Sequence, residues 1–147
     1  MRSQASCYTK PMPLQPLPIG IQTFADIRTG NFCYIDKTGL IGDLIRPSKG
    51  VYFLSRPRRF GKSLLLSTLA AIFESKQDLF EGLAISKTDY KWEKHPVIRL
   101  DLSVVDNTSP NQLEKGLKHQ CQQLAKDHGY ALAEQDSLPD LFTELIR

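Results

Sequence analysis

The sequence predicts an α/β fold with an incomplete parallel sheet. Val51–Ser55 is a nearly all-apolar run of strand length, which is typical of a strand buried on both faces of a parallel sheet. Val97–Leu102 is a second strand candidate, and a helical pattern follows each run, after Lys62 and after Pro110. Alternating strands and helices indicate parallel strands joined by helical crossovers. Two strands fall short of the roughly five in an average sheet, so we expect the sheet to be incomplete.

Composition limits the class of protein. The 147 residues suit one domain, and 41% hydrophobic and 24% charged residues are ordinary for a globular chain. A net charge of +3 permits an anionic ligand without requiring nucleic acid. The three cysteines are widely spaced and form no CxxC pair, which argues against a disulfide framework or a zinc site. No apolar run has the length of a signal peptide or membrane span, so we expect a cytoplasmic protein without a membrane partner.

The elements before the first strand are short. Four prolines lie within residues 1–18, so we predict an extended lead-in there and the folded domain over residues 19–147. Thr23 is expected to cap a helix that continues through Ile27. Phe32–Ile35 is a β-prone run. Asp36 then caps a second helix over Thr38–Ile45.

After Lys62 the apolar residues are spread around the whole helix, which predicts a deeply buried helix. Residues 78–95 are irregular, with four expected core anchors: Phe80, Leu83, Ile85 and Trp92. Pro110 opens a long helix that runs to about His128. A last helix is predicted over Asp140–Ile146.

Between the first strand and its helix lies a loop, Arg56–Ser63, that matches the end of the phosphate-binding pattern G-x-x-x-x-G-K-S/T. Gly61 lets backbone amides approach phosphate oxygens, Lys62 places a charge near the β- and γ-phosphates, and the Ser63 hydroxyl can ligate Mg²⁺. Arg56 stands where the pattern has its first glycine. We therefore predict an α/β domain of the P-loop NTPase type that binds ATP and Mg²⁺. The predicted nucleotide-binding residues are Arg56, Pro57, Arg58, Arg59, Phe60, Gly61, Lys62, Ser63, Leu64 and Asp36.

Three of these interpretations have alternatives. The arginines at 56, 58 and 59 either add grip on phosphates, contact nucleic acid, or form a solvated basic turn. Asp36 either contacts the nucleotide or only caps a helix. Asp101 ends the second strand candidate and is a second possible Mg²⁺ ligand, although Arg99 interrupts the strand and Leu102 replaces the expected catalytic glutamate. Otherwise Asp101 is a polar residue that closes a strand.

The chain resembles the AAA-ATPase-like proteins of bacteria and archaea, whose P-loop domain commonly precedes a restriction-endonuclease-like domain. The most specific stretch is Ser55–Ser63, and the resemblance covers roughly residues 17–147. Four further stretches match: Leu17–Ile21, Tyr34–Thr38, Leu79–Leu83, and Trp92 followed by His95–Ser103. The resemblance implies that Arg56 is the family's own form of the loop.

The resemblance also implies that the acidic Walker B strand lies downstream of the region matching Leu141–Arg147. We therefore expect an N-terminal fragment that binds ATP with little turnover, and whose partners include the downstream domain of the full-length protein. The alternatives are a fragment that binds nucleic acid or protein through its basic loop, and a non-functional remnant of a longer ATPase.

Overall fold

In a computed structural model of the chain, the described residues (14–46, 50–106, 108–130 and 137–146) form helices joined by turns and irregular segments. The chain divides into two compact units, Met1–His95 and Pro96–Arg147. In the first unit the helices are α1 (Phe24–Thr29), α2 (Thr38–Ile45), α3 (Lys62–Phe73) and the 3₁₀-helices Gln77–Phe80 and Ala84–Lys87. In the second they are the 3₁₀-helix Leu102–Val104, α4 (Pro110–Asp127) and α5 (Leu138–Ile146).

The predicted α/β fold with a parallel sheet is wrong, because no described residue belongs to a β-strand. Val51–Ser55 is irregular and lies at the surface, where the side chain of Phe53 is 93% exposed. Val97–Leu102 is irregular up to the start of the 3₁₀-helix, and Phe32–Ile35 is irregular throughout. An apolar run becomes a strand only where a neighbouring strand supplies partners for its backbone groups. The two main candidates lie in separate units, and no described residue forms a ladder with either of them.

The core of the first unit joins its helices through buried apolar side chains. Phe24 of α1 and Phe80 are both fully buried, with their ring centroids 4.7 Å apart. Trp92 packs against Phe80 at 5.1 Å, which agrees with its predicted role as a core anchor. The buried members of this cluster are Phe24, Ile41, Ala71, Ile72, Phe80, Leu83 and Ile85.

The observed bounds of the helices agree closely with those predicted from the local sequence. α2 has the predicted bounds, and α1 extends two residues beyond the predicted Ile27, to Thr29. α4 begins at Pro110, where the Ser109 hydroxyl accepts a bond of 3.3 Å from the amide of Gln112. Much of the predicted lead-in lies outside the described residues, and residues 14–18 are irregular.

The second unit is built on the pairing of α4 and α5. Leu141 of α5 is buried, as are Cys121 and Ala125 of α4. Val105 packs against Gly116, where a side chain on the helix would collide with it. Within the part of the chain that the structure describes, no helix is both long enough and apolar enough to cross a membrane.

Candidate phosphate-binding site

The loop before α3 turns through left-handed backbone conformations. Gly61 has φ 72° and ψ 20° at the N-cap position of α3, and Arg59 has φ 66°. Glycine adopts this conformation without steric penalty, whereas it is uncommon for other residues. Gly61 therefore occupies a position that favours glycine, and it directs the chain into the first turn of α3.

The first turn of α3 has backbone amides available for an anion. No side chain in the described part of the chain caps this helix, and its first backbone bond runs from the amide of Leu65 to the carbonyl of Gly61, at 2.9 Å. The amides of Lys62, Ser63 and Leu64 precede that bond, so they have no acceptor within the helix. Their aligned dipoles place partial positive charge at this end of α3.

The side chain of Lys62 folds back over the loop. Its ammonium donates to the carbonyl oxygen of Pro57, at 3.0 Å, and to that of Arg56. These bonds join the end of the loop to its beginning and hold the positive charge at the carbonyl oxygens of Arg56 and Pro57. Ser63 is half-buried and follows Lys62 in the first turn of α3.

The remaining loop residues lie at the surface. The three arginines and Phe60 are exposed, and among the described residues no ion pair involves Arg56, Arg58 or Arg59. Leu64 differs, because it packs against the core of the first unit. The loop thus presents cationic side chains to solvent and is anchored to the core through α3.

Asp36 joins α2 to the 3₁₀-helix Ala84–Lys87. Its Oδ1 accepts bonds from the amide and the hydroxyl of Thr38, at 2.8 and 2.6 Å, and its Oδ2 accepts from the amide of Ala84 at 2.7 Å. The buried Thr38 hydroxyl in turn accepts from the amide of Ile85 at 3.1 Å. The capping interpretation of Asp36 is therefore what the structure displays, and a contact with nucleotide stays a prediction.

Partial burial opposes ionisation of Asp36, but the hydrogen bonds from Thr38 and Ala84 and the charge of Arg28 outweigh it and lower the pKa of the carboxyl. At pH 7 we expect Asp36→Asn to lower the free energy of unfolding by about 1 kcal/mol, the typical net value of one hydrogen bond. Because the folded pKa is lowered, this contribution is present above the unfolded pKa of about 3.9 and is lost as the pH falls through the lower folded value. Urea unfolding between pH 7 and pH 3 measures it, and the difference in unfolding free energy between the two proteins is expected to narrow toward the acid end.

The matched control is Asp43→Asn on α2. The carboxylate of Asp43 pairs with Arg46 at 3.1 Å on the exposed surface, where such pairs contribute little. Its effect on unfolding is expected to be near zero throughout the series. A loss for Asp36→Asn that stays the same from pH 7 to pH 3 contradicts the role given to the ionised carboxylate.

Asp101 lies in the second unit and begins the 3₁₀-helix Leu102–Val104. Its Oδ1 accepts from the amide and the hydroxyl of Ser103, at 2.9 and 2.6 Å, and these bonds lower the pKa of the carboxyl. Its backbone exchanges two bonds with the side chain of Gln120. The carboxylate is thus used to start a helical turn, and its role as a metal ligand stays a prediction.

The structure shows no metal-binding cluster of three or more His, Cys, Asp or Glu side chains in the described ranges. A magnesium ion carried by nucleotide phosphates needs no such cluster, since phosphate oxygens and water fill most of its coordination positions. The Ser63 hydroxyl is an oxygen donor of the kind that Mg²⁺ accepts, so the donor chemistry at the start of α3 fits the predicted ion.

One residue at the site is absent from the sequence-based set. The Ser67 hydroxyl, one turn after Ser63 on α3, accepts a bond of 2.9 Å from the amide of Phe24 at the start of α1. Thr23 occupies the N-cap position predicted for it, but its side chain makes no capping bond. Ser67 sits in the middle of an apolar helix sequence, and no local signal links it to a residue 43 positions earlier.

Comparison with known proteins yields a family match and one partial relative. The family model described as "Predicted AAA-ATPase" matches residues 18–147. The chain is also similar to an uncharacterized protein in the vnfD 5' region of Azotobacter chroococcum mcd 1, with 52% identity over 91 residues. That match covers 60% of this chain and 17% of the relative, so the chain spans only a small part of the length of this curated protein. No solved structure matches the chain.

Proposed function

The chain belongs to the AAA-ATPase-like family, as the resemblance around Ser55–Ser63 indicated, and on this premise we propose that the loop Arg56–Ser63 binds the triphosphate of ATP. One observation carries the proposal. The first turn of α3 is entered through the left-handed Gly61, and the ammonium of Lys62 lies over the preceding loop, 3.0 Å from the carbonyl oxygen of Pro57. Backbone amides at a helix N-terminus together with a mobile cation are the groups that recognise phosphate oxygens.

Each residue has a part in this proposal. The amides of Lys62, Ser63 and Leu64 donate to phosphate oxygens, and the Lys62 ammonium neutralises their charge. Ser63 would hold Mg²⁺ through its hydroxyl, and the ion supplies Lewis-acid polarisation of the phosphates when bound. The exposed Arg56, Arg58 and Arg59 strengthen the local positive potential.

The proposal is limited to binding. Hydrolysis requires an acidic group that positions the metal ion and the attacking water. The two carboxylates considered from the sequence, Asp36 and Asp101, both accept hydrogen bonds at the starts of helices. Neither is assigned a catalytic role.

Calorimetric titration with MgATP tests the proposal. We expect saturable binding that inorganic tripolyphosphate displaces and adenosine does not, because the groups named above address the phosphates alone. The absence of saturable binding, or displacement by adenosine alone, contradicts the assignment of the loop.

A second candidate function is favoured by the three arginines, which are exposed and form no ion pair among the described residues. Such a cluster suits the backbone phosphates of nucleic acid, whose binding weakens steeply as salt is added. Adding an oligonucleotide to the same titration separates the two functions. Salt-sensitive oligonucleotide binding that leaves ATP binding unchanged supports a separate nucleic-acid surface, and competition between the two ligands assigns both to the loop.

A further inference from the structure

The hydroxyl of Ser67 forms hydrogen bonds both within α3 and with the start of α1. It lies 2.9 Å from the carbonyl oxygen of Leu64, 2.9 Å from the amide nitrogen of Phe24 and 3.4 Å from the carbonyl oxygen of Gln22. A serine hydroxyl has one proton to donate and can accept as well. It therefore accepts from Phe24 and donates to Leu64, at the shorter of the two carbonyl distances.

The Leu64 carbonyl belongs to the first turn of α3. The same turn carries the amides that are proposed to bind phosphate. The Leu64 carbonyl oxygen also accepts from the Thr68 hydroxyl, at 2.8 Å, but of the two hydroxyls it is that of Ser67 that bonds the start of α1 as well. A displacement of this turn would move those amides directly, so the groups that hold Leu64 also affect where the amides are directed.

α1 holds the Phe24 amide in a fixed position for its bond with Ser67, because both ends of α1 are attached to the core. At its start, the fully buried Phe24 packs against Phe80 and, with ring centroids 5.2 Å apart, against Tyr34. Near its end, the Arg28 guanidinium donates to the carbonyl oxygens of Leu79 and Glu81, each at 2.8 Å. The amide of Phe24 is thus held in place independently of the loop.

We infer that Ser67 is a positioning residue for the phosphate loop: through its hydroxyl it ties the first turn of α3 to the fixed start of α1. This inference rests on the proposed function. Ser67 is not assigned a contact with ATP, and its effect is exerted through the orientation of the turn that contains Leu64.

The Ser67→Ala variant is expected to bind MgATP about tenfold more weakly, the order of one or two lost hydrogen bonds. Tripolyphosphate affinity should fall by the same factor, because only the phosphate-binding groups lose their support. Ser67→Thr retains the hydroxyl and should restore most of the affinity. All titrations are run at a temperature at which circular dichroism shows each variant to be folded, so that loss of stability does not itself reduce binding.

Thr29→Ala is the matched control. Among the described residues, the Thr29 hydroxyl donates to the carbonyl of Ala25, within α1 itself, at 2.9 Å. Its removal should shift the unfolding midpoint slightly and leave both affinities within about twofold, the ordinary effect of a surface substitution. Should Ser67→Ala not fold, Ser67→Cys takes its place, since a thiol fills the same space but accepts hydrogen bonds weakly.

The outcomes separate the two proposals. If the wild-type protein binds neither MgATP nor tripolyphosphate, the proposed function fails and the role of Ser67 fails with it. If the wild-type protein binds both ligands and folded Ser67→Ala binds them equally well, only the positioning role is overturned. A tenfold loss in Ser67→Ala that Ser67→Thr reverses and Thr29→Ala does not reproduce supports it.

Discussion

Replacing Lys62 with alanine is expected to weaken the binding of MgATP by roughly 10- to 100-fold. A charge-assisted hydrogen bond contributes about 1.5–3 kcal/mol, and each 1.4 kcal/mol corresponds to a factor of ten in affinity. In the free protein the ammonium bonds the carbonyl oxygens of Arg56 and Pro57 at an exposed position. Bonds of this kind contribute little to folding, so the loss should appear in binding and leave the unfolding midpoint nearly unchanged. Isothermal titration and thermal unfolding of the same samples measure the two quantities.

Two control variants test whether the loss of affinity is specific to the ammonium of Lys62. Lys94→Ala removes an exposed lysine from the segment after Trp92 and should leave the affinity within about twofold. Lys62→Arg retains the charge, but its planar guanidinium does not reproduce a compact ammonium, so we expect only partial recovery. An unchanged affinity in Lys62→Ala removes the basis for a triphosphate site at this loop.

Phe80→Ala is expected to lower the free energy of unfolding by about 3–5 kcal/mol, whereas Phe53→Ala should change it by less than about 0.5 kcal/mol. Phe80 is fully buried between Phe24 and Trp92, so its removal leaves a cavity and breaks both ring contacts. Phe53 is 93% exposed and loses little on truncation. The two variants make the same substitution, phenylalanine to alanine, at a fully buried and at an almost fully exposed position.

Urea unfolding followed by far-ultraviolet circular dichroism measures both variants. Fluorescence of Trp92 is less suitable, because that side chain packs against Phe80 and responds to its removal directly. The comparison also tests the corrected fold, since the sequence placed Phe53 in a buried strand. A loss in Phe53→Ala as large as that in Phe80→Ala contradicts the exposed position of Val51–Ser55.

The helices could be predicted because their signals are local. The Ser109 cap and Pro110 lie next to each other at the start of α4, and a capping serine acts on amides only two or three residues away. The start of α2 was predicted from Asp36, whose carboxylate bonds the amide of Thr38, and its end from Pro47. Such interactions are complete within a few residues of chain, so the sequence contains all the information they need.

The strands could not be predicted in the same way. Val51–Ser55 has the composition of a buried strand, but a strand also requires a partner from elsewhere in the chain. Composition describes the side chains of the run and says nothing about which backbone, if any, lies beside it. The exposed position of Phe53 is a property of the tertiary structure alone.

The candidate site likewise has some features that follow from local sequence and others that depend on the tertiary structure. The residues of the proposed phosphate loop could be predicted from the sequence by itself, because Gly61, Lys62 and Ser63 occupy consecutive positions at one helix start. The resemblance of the stretch Ser55–Ser63 also indicated the family whose model matches residues 18–147. The tertiary structure alone decided that Asp36 reaches the amide of Ala84, 48 positions away, and that Ser67 reaches Phe24. Both contacts depend on how distant segments pack together, and packing is set by the whole buried core and not by any pattern of neighbouring residues.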